Sequence, residues 1–187
     1  QAALSCTLST VVVRTEQVGN RILVYDETGD LLHSLKGHRD YVYCVAYSRD
    51  GKRFASGGAD KTIIIWTNKC EGILKYSHND SIQVRFFRLF APIAHSDDAI
   101  AVAAQCLAYN PVTQQLASAT ASDFGLWSPE QKSVQKFKVS AKVLCAAWTN
   151  DGQYLALGQF NGHISIRDKS GNEKVRFAIC RFAVCAE

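Results

Sequence analysis

The stretch Leu35–Trp66, LKGHRDYVYCVAYSRDGKRFASGGADKTIIIW, decides the fold. It opens on Gly37-His38, passes through the apolar-rich run YVYCVAY, turns at Ser48–Gly51, and reaches Trp66 through two further strand-like runs. YVYCVAY and TIIIW are rich in β-branched and aromatic side chains, which suit a pleated, half-buried surface, and Asp50-Gly51 supplies the tight turn between strands. The stretch is expected to form one four-stranded antiparallel unit.

Partial copies lie on either side of it: RILVYD (21–26), DFGLWS (123–128) and HISIRD (163–168). Tyr25, Trp66, Trp127 and Arg167 hold equivalent places, at separations of 41, 61 and 40 residues. A repeat of about 40–45 residues accommodates the outer two but not the middle one. Aligning HRDYVYCVAY with HNDSIQ (78–83) and CLAY (106–109) locates the excess in Val84–Gln105, a 22-residue segment whose removal returns the middle spacing to 39. The segment, VRFFRLFAPIAHSDDAIAVAAQ, shares no pattern with any repeat and enters inside a strand, where an interruption threatens ladder bonds and side-chain register. Two readings follow: an alternative or misassigned coding segment, or a loop whose first residues, Val84–Phe87, continue the strand before bulging out.

With its turn signals and near-constant period, the pattern resembles the WD40 family, whose repeats build the blades of a β-propeller. The resemblance implies an all-β fold: a partial WD40 propeller of about three and a half four-stranded blades with an irregular insert. Residues 1–20 are expected as an irregular N-terminal segment, 21–177 as the partial propeller interrupted by 84–105, and 178–187 as an irregular tail. The first unit, Arg21–Lys36, counts as half a blade. There is no Met, even at position 1, so the chain is expected to be a fragment.

In WD40 blades a His, a Ser or Thr, an Asp and a Trp form a buried hydrogen-bonded chain. The matching residues are His38, Ser56, Asp60 and Trp66, and the third repeat keeps His78, Ser118 and Trp127, with Asp123 or Ser122 near the remaining corner. Such groups can be buried together only because each satisfies its neighbour. A Ser-His-Asp catalytic triad is the competing reading, and the repeat already accounts for every member. In the fourth repeat Leu157, Asn161 and Arg167 replace Ser, Asp and Trp, so that blade is expected to rely on apolar packing and to fray more readily. Candidate partner-facing positions are Arg39, Asp40, Tyr41, Lys61, Asp123 and Phe124, placed in inter-strand loops. Ser128-Pro129 reads most simply as a turn.

Composition narrows the function. Lys and Arg number 21 against 17 Asp and Glu, a net charge of +4, and no basic run interleaved with aromatics suggests nucleic acid. No apolar run approaches the roughly 20 residues of a membrane helix. Cys44, Cys106 and Cys145 each precede an aromatic residue by three places, so they read as one small core position in three repeats. Cys6, Cys70, Cys180 and Cys185 form no CxxC pair, so neither a metal nor any other cofactor is expected. Seven cysteines without a disulfide framework suit a reducing, cytosolic-facing compartment, which leaves the Asn79-Asp80-Ser81 sequon incidental. Gly51-Lys52 lacks the spacing of a phosphate-binding loop, and catalysis is not expected.

Beyond the WD40 pattern, the segments around Trp66, then SDFGLWSPEQKSV (122–134) and WTNDGQYLALGQFNGHISIRDKSGNEKV (148–175), resemble the N-terminal propellers of the intraflagellar transport complex A family. That resemblance implies a non-enzymatic protein-binding scaffold acting in retrograde ciliary transport, cilium assembly and protein localisation to cilia. Its implied partners are other complex A subunits and ciliary membrane-receptor cargo adaptors, and its implied locations are the cilium, the basal body and the cytoplasm. The alternative is a generic WD40 adaptor, such as a ubiquitin-ligase substrate receptor or a vesicle-coat subunit.

Overall fold

In the computed structural model, residues 6–8, 11–14, 19–26, 28–80, 82, 85–88, 101–104 and 107–178 are described. They form four antiparallel sheets of four strands and one separate hairpin. The first sheet contains β1 (Cys6–Leu8), β2 (Val11–Arg14), β3 (Arg21–Tyr25) and β4 (Leu31–Lys36). The second contains β5 (Val42–Tyr47), β6 (Arg53–Gly58), β7 (Thr62–Thr67) and β8 (Gly72–Ser77). The insert supplies the hairpin of β9 (Arg85–Arg88) and β10 (Ala101–Ala104). The third sheet follows with β11 (Leu107–Tyr109), β12 (Leu116–Ala119), β13 (Asp123–Trp127) and β14 (Gln135–Lys138). The fourth is β15 (Val143–Trp148), β16 (Tyr154–Gln159), β17 (His163–Asp168) and β18 (Glu173–Ala178). This is the partial propeller the repeat implies.

The offset between repeat and sheet corrects one expectation. Leu35–Trp66 starts on the last residues of β4 in the first sheet and ends on β7 in the second, so it straddles two sheets instead of forming one. The Gly37-His38 pair leaves the outer strand of one sheet and enters the inner strand of the next, which makes each repeat a joint as well as a unit. The half blade read at 21–36 is the outer part of a four-stranded sheet, since β1 and β2 lie within residues 1–20, β1 pairs with β2, and β2 pairs with β3.

Turn chemistry acts as the residue types predict. Gly51 and Gly152 take φ of +66° and +67°, a left-handed conformation that glycine adopts without strain. Their amides donate to the Ser48 and Thr149 carbonyls at 3.0 and 2.8 Å. At the third turn the Asn110 side-chain oxygen accepts the amides of Val112 and Thr113 at 2.9 and 3.0 Å, an Asx turn ahead of β12.

Three apolar clusters fill the junctions between sheets. Ile22 and Val24 of the first sheet meet Val42, Val45, Phe54, Ile64 and Trp66 of the second. Cys44, Ala46, Ala55, Ile63 and Ile65 on the opposite face of the second sheet meet Ile82, Leu107, Leu116 and Trp127. Ala117, Ala119, Phe124 and Leu126 of the third meet Val143, Ala146, Leu155 and Leu157 of the fourth. The shared cysteine position divides accordingly. Cys44 is buried in a junction, whereas Cys145, expected in the core, is exposed because it sits on the far face of the fourth sheet. Cys106 lies outside the described residues.

The insert enters where the ladder is already irregular. Pairing between β5 and β6 shifts register between Val42 and Cys44, and pairing between β15 and β16 shifts between Val143 and Cys145. Aligned on these, the third repeat departs after Gln83, at the same bulge position. Ile82 still fills the place of Val42, fully buried, with its amide donating to the Gly58 carbonyl at 3.2 Å. The interruption therefore spares the inward side chain of Ile82 and falls at a site with less ladder to lose. Arg85–Arg88 pairs with β10 and not with the third sheet, so these residues do not extend the inner strand as the loop reading supposed.

Candidate functional site

His38 sits in the loop that joins β4 to β5, where it faces Ser56 on β6, Asp60 in the turn after β6, and Thr62 at the start of β7. Its Nδ1 lies 3.0 Å from Asp60 Oδ1 and its Nε2 lies 2.8 Å from Ser56 Oγ. A carboxylate only accepts, so Nδ1 carries the proton, and neutral Nε2 accepts from the Ser56 hydroxyl. Trp66 Nε1 donates to Ser56 Oγ at 2.9 Å. The Thr62 hydroxyl and the Arg39 amide donate to Asp60 at 2.8 and 2.9 Å. The result is a continuous chain, Trp66 to Ser56 to His38 to Asp60, that closes the turn onto the loop.

Burial holds His38 below its ordinary value of 6.5, against the pull of Asp60, so the imidazole is kept neutral. Burial pushes the Asp60 carboxyl upward, but the Arg39 amide, His38 and Thr62 outweigh it and bring it below the ordinary value. The trio of Ser56, His38 and Asp60 has the connectivity of a hydrolytic triad. Ser56 nevertheless has no exposed surface, and its oxygen is already engaged by the Trp66 N–H, so no substrate carbonyl can reach it.

The third sheet builds a second network with different parts. His78 Nδ1 lies 2.9 Å from Asp123 Oδ1, and its Nε2 lies 2.9 Å from Ser118 Oγ. Thr120 donates to Asp123. Relative to the second sheet, carboxylate and hydroxyl have exchanged places: Asp123 opens β13 where Thr62 opens β7, and Thr120 stands in the turn. Burial likewise holds His78 below the ordinary histidine value, and Asp123 is brought below the ordinary carboxyl value despite burial, by Thr120 and His78. Trp127, expected to complete this network, does not. Its Nε1 is buried without a partner, and Tyr76 of the neighbouring sheet donates to Ser118 Oγ at 2.9 Å instead. Ser122, the other candidate for that corner, is exposed and donates to Asp80.

Lys75 on β8 and Lys136 on β14, which the repeat pattern does not mark, tie these two networks to the preceding sheet. Lys75 Nζ donates to the Gly37 carbonyl at 2.7 Å, and Lys136 Nζ to the Ser77 carbonyl, in each case the residue just before the histidine. The two lysines are equivalent once the insert is set aside, since Lys75 pairs with Ile64 and Lys136 with Gly125. Thr62, Thr120 and Tyr76 were also missed. The hydroxyls adjoin the predicted carboxylates, a usable signal, whereas the role of Tyr76 depends on contact between sheets.

The fourth sheet is not held by apolar packing alone. Arg167, at the tryptophan position, donates to the Gly171 carbonyl and to Glu173 at 2.9 Å each, and Glu173 also accepts from Ser165 and Arg176 at 3.0 and 2.8 Å. The guanidinium carbon stands 4.9 Å from the centre of the Phe124 ring, a cation–π contact across the junction. Leu157 is buried in that junction, and exposed Asn161 accepts the His163 amide at 3.2 Å.

Of the six partner-facing candidates, Arg39, Asp40, Tyr41 and Lys61 are exposed. Their loops lie at one edge of the second sheet, where the Ala59 amide donates to the Tyr41 carbonyl at 2.8 Å. Lys61 also donates through Nζ to the Asn79 carbonyl at 2.9 Å. Asp123 and Phe124 are not available to a partner. Asp123 is buried against His78, and Phe124 is fully buried, stacked on Phe137 with ring centres 4.9 Å apart. Among the described residues, no cluster of His, Cys, Asp and Glu could hold a metal ion, and no helix is long and apolar enough to cross a membrane.

Residues 29–67 match the family model described as WD domain, G-beta repeat. That span runs from just before β4 to the end of β7 and contains the His38 network. Over 159 residues, 84% of its length, the chain is 62% identical to intraflagellar transport protein 122 homolog of Xenopus tropicalis and 61% identical to that of Homo sapiens. It spans only 12% and 11% of the length of these relatives. It is also 31% identical over 147 residues to small ribosomal subunit protein RACK1y of Oryza sativa subsp. japonica, covering 73% of this chain and 37% of that one. The repeated sheets, the His-Ser-Asp-Trp chain and these similarities agree: the chain belongs to the WD40-repeat family and is similar, across most of its length, to the intraflagellar transport protein 122 homologs.

Proposed function

We propose that this chain is a propeller segment of an intraflagellar transport complex A subunit, working as a non-enzymatic scaffold that binds other proteins. The observation that carries this reading is identity of 61–63% over 84% of the chain to intraflagellar transport protein 122 homologs from four vertebrates, about twice the identity to the RACK1y relative. The buried networks support a scaffold, because their polar groups are consumed in holding sheets together.

On this reading the protein acts in retrograde ciliary transport, cilium assembly and delivery of proteins to cilia, from the cilium, the basal body and the cytoplasm. It engages other complex A subunits and the adaptors of ciliary membrane-receptor cargo. Arg39, Asp40, Tyr41 and Lys61 offer an exposed, mixed-charge surface with one aromatic, the composition of an interface rim. Affinity purification, from ciliated cells, of the polypeptide containing this chain tests the proposal. Recovery of the other complex A subunits is expected; a cullin ligase or a vesicle coat in their place would overturn it in favour of a generic WD40 adaptor.

A further inference from the structure

The fourth sheet lacks a carboxylate at both places where the second and third sheets use one. In the second, Asp60 in the β6–β7 turn accepts the amide of Arg39 at 2.9 Å. In the third, Asp123 at the start of β13 accepts the amide of Asn79, the residue equivalent to Arg39. Counting back from the matching bulges at Val42 and Val143 puts Ser140 at this place in the fourth repeat. The chain bends there in all three, at residues 39–40, 79–80 and 140–141. Opposite Ser140 the two carboxylate places hold Asn161 and His163. The fourth loop keeps the backbone bond from the Phe160 amide to the Lys142 carbonyl, 2.8 Å, and Val139 packs on the junction in the place of the histidine.

Charge around that loop is one-sided. Residues 131–150 contain Lys132, Lys136, Lys138 and Lys142 and no Asp or Glu. Lys136 and Lys138 share one face of β14, an outer strand paired with β13 alone, so its other edge is open. Among the described residues none of the four lysines joins an ion pair. Ser140 is exposed, and among the described residues its hydroxyl makes no hydrogen bond. Ser77, Ser133 and Ser170 also lie near lysines, but each has an Asp or Glu within three residues. The Ser140 loop is an exposed serine in a basic setting, at a corner that elsewhere holds an anion.

We infer that Ser140 is a phosphorylation site, and that its phosphate takes the part played by the aspartates in the other two sheets. The enzyme is a kinase that selects serines flanked by basic residues. The Ser140 hydroxyl oxygen attacks the γ-phosphorus of ATP: an O–P bond forms, the bond to the β-phosphate oxygen breaks, ADP leaves, and the hydroxyl proton passes to the kinase's catalytic carboxylate. The product carries a charge of about −1.5 to −2 and three acceptor oxygens. The loop and turn present donors for them in the Ser140 amide, the Lys142 ammonium and the side-chain N–H groups of Asn161 and His163. With no carboxylate in either segment, the new anion gains charge-assisted hydrogen bonds without like-charge repulsion. The modification fastens the loop to the turn and reverses the charge of an exposed corner.

Incubation of the folded polypeptide containing this chain with ATP and the catalytic fragment of protein kinase C, followed by phosphopeptide mapping, tests the site. Phosphate on Ser140 is expected, abolished in Ser140→Ala and slowed at least several-fold in Lys138→Glu. Amide hydrogen exchange tests the part the phosphate plays, because the Phe160 amide is released whenever the loop leaves the turn. Its exchange is expected to slow several-fold on phosphorylation and to stay unchanged in kinase-treated Ser140→Ala. Phosphate confined to other serines, or reaching Ser140 only in urea, overturns the inference. So does exchange at Phe160 that is as fast or faster in the phosphorylated chain.

Discussion

The second and third sheets each bury a histidine between a serine and an aspartate, yet they complete the chain of bonds differently. In the second, every donor has an acceptor inside the repeat: Trp66 serves Ser56, Ser56 serves His38, and His38 serves Asp60. In the third, the donor to Ser118 comes from Tyr76 on the adjacent sheet, Asp123 and Thr120 have exchanged places, and the Trp127 N–H is left unpaired. The constraint enforced by burial is the satisfaction of each donor and acceptor, and the position that supplies them is secondary. A network closed within one repeat is a local device, whereas one closed by the neighbour depends on the junction. Among the described residues the inner strand covers six positions in β5 and three in β11.

The largest effect is expected where a partner is stripped from either network. His38→Ala and Asp60→Ala should each cost roughly 2–4 kcal/mol, because the groups left behind stay buried and unpaired. His78→Ala and Asp123→Ala should fall in the same range. Urea denaturation of the four variants decides this, and losses within about half a kcal/mol would remove the networks as stabilising elements.

Acid should expose both networks at once. His38 and His78 are held below 6.5 in the folded chain, so on acidification the unfolded chain binds protons first. Their contribution is therefore complete above about pH 6.5 and declines as the pH falls through the folded values, at up to about 2.7 kcal/mol per pH unit while both titrate. Asp60 and Asp123, also depressed, extend the loss below their ordinary 3.8. The urea midpoint measured between about pH 7.5 and pH 5 should drop for wild type and drop less steeply for His38→Ala. A flat profile would mean that the imidazoles are not kept neutral.

Removing Val84–Gln105 tests the interrupted repeat. The deletion joins Gln83 to Cys106 and restores the uninterrupted pattern HNDSIQCLAY. Stability should rise by about 1–3 kcal/mol, from regained ladder bonds and a shorter loop to close. Lower stability in the deleted chain would show that the β9–β10 hairpin supports the third sheet. Sequencing transcripts across Gln83 and Cys106 addresses the separate question of whether the segment is constitutively coded, with its absence from most transcripts expected of an alternative or misassigned segment.

The two tryptophans supply a finer contrast. Phenylalanine at either site removes a similar amount of apolar surface, but only Trp66 also loses a hydrogen bond. Trp66→Phe should therefore cost about 1–2 kcal/mol more than Trp127→Phe, and Tyr76→Phe about 1 kcal/mol. Equal losses for the two tryptophans would undo the distinction between a network closed within its repeat and one closed by its neighbour.

Legibility in the sequence followed the range of each interaction. The strands, the turns at Gly51 and Gly152 and the His38 network follow from residues that lie close together within one repeat. Tyr76 and Lys75 could not be placed in this way, because their partners belong to other sheets and the alignment of repeats marks neither residue. Asp123 and Phe124 were placed in a loop because the turn before β13 is one residue shorter, which carries both inward. Cys145 was assigned to the core by repeat equivalence, but equivalence identifies the face and not whether another sheet covers it. The bulge beside Val42 was equally invisible, and it explains how the insert can enter a strand without displacing Ile82.

The smallest effect is expected in the fourth sheet, where the network is absent. Asn161, at the aspartate position, is exposed and caps only the His163 amide, at 3.2 Å. Water replaces that bond readily, so Asn161→Ala should cost less than about half a kcal/mol. Glu173→Gln is the informative companion, because this carboxylate accepts from Arg167, Arg176 and Ser165 and is held below its ordinary value, first by the Arg176 hydrogen bond. Solvent at Glu173 and Arg176 limits its worth to about 1 kcal/mol, which salt should reduce. If Asn161→Ala proved as damaging as Asp60→Ala, the fourth sheet would contain a buried polar chain after all. If Glu173→Gln proved neutral and salt-independent, the Arg167 contact with Phe124 and the apolar junction would hold this sheet without help from its ion pairs.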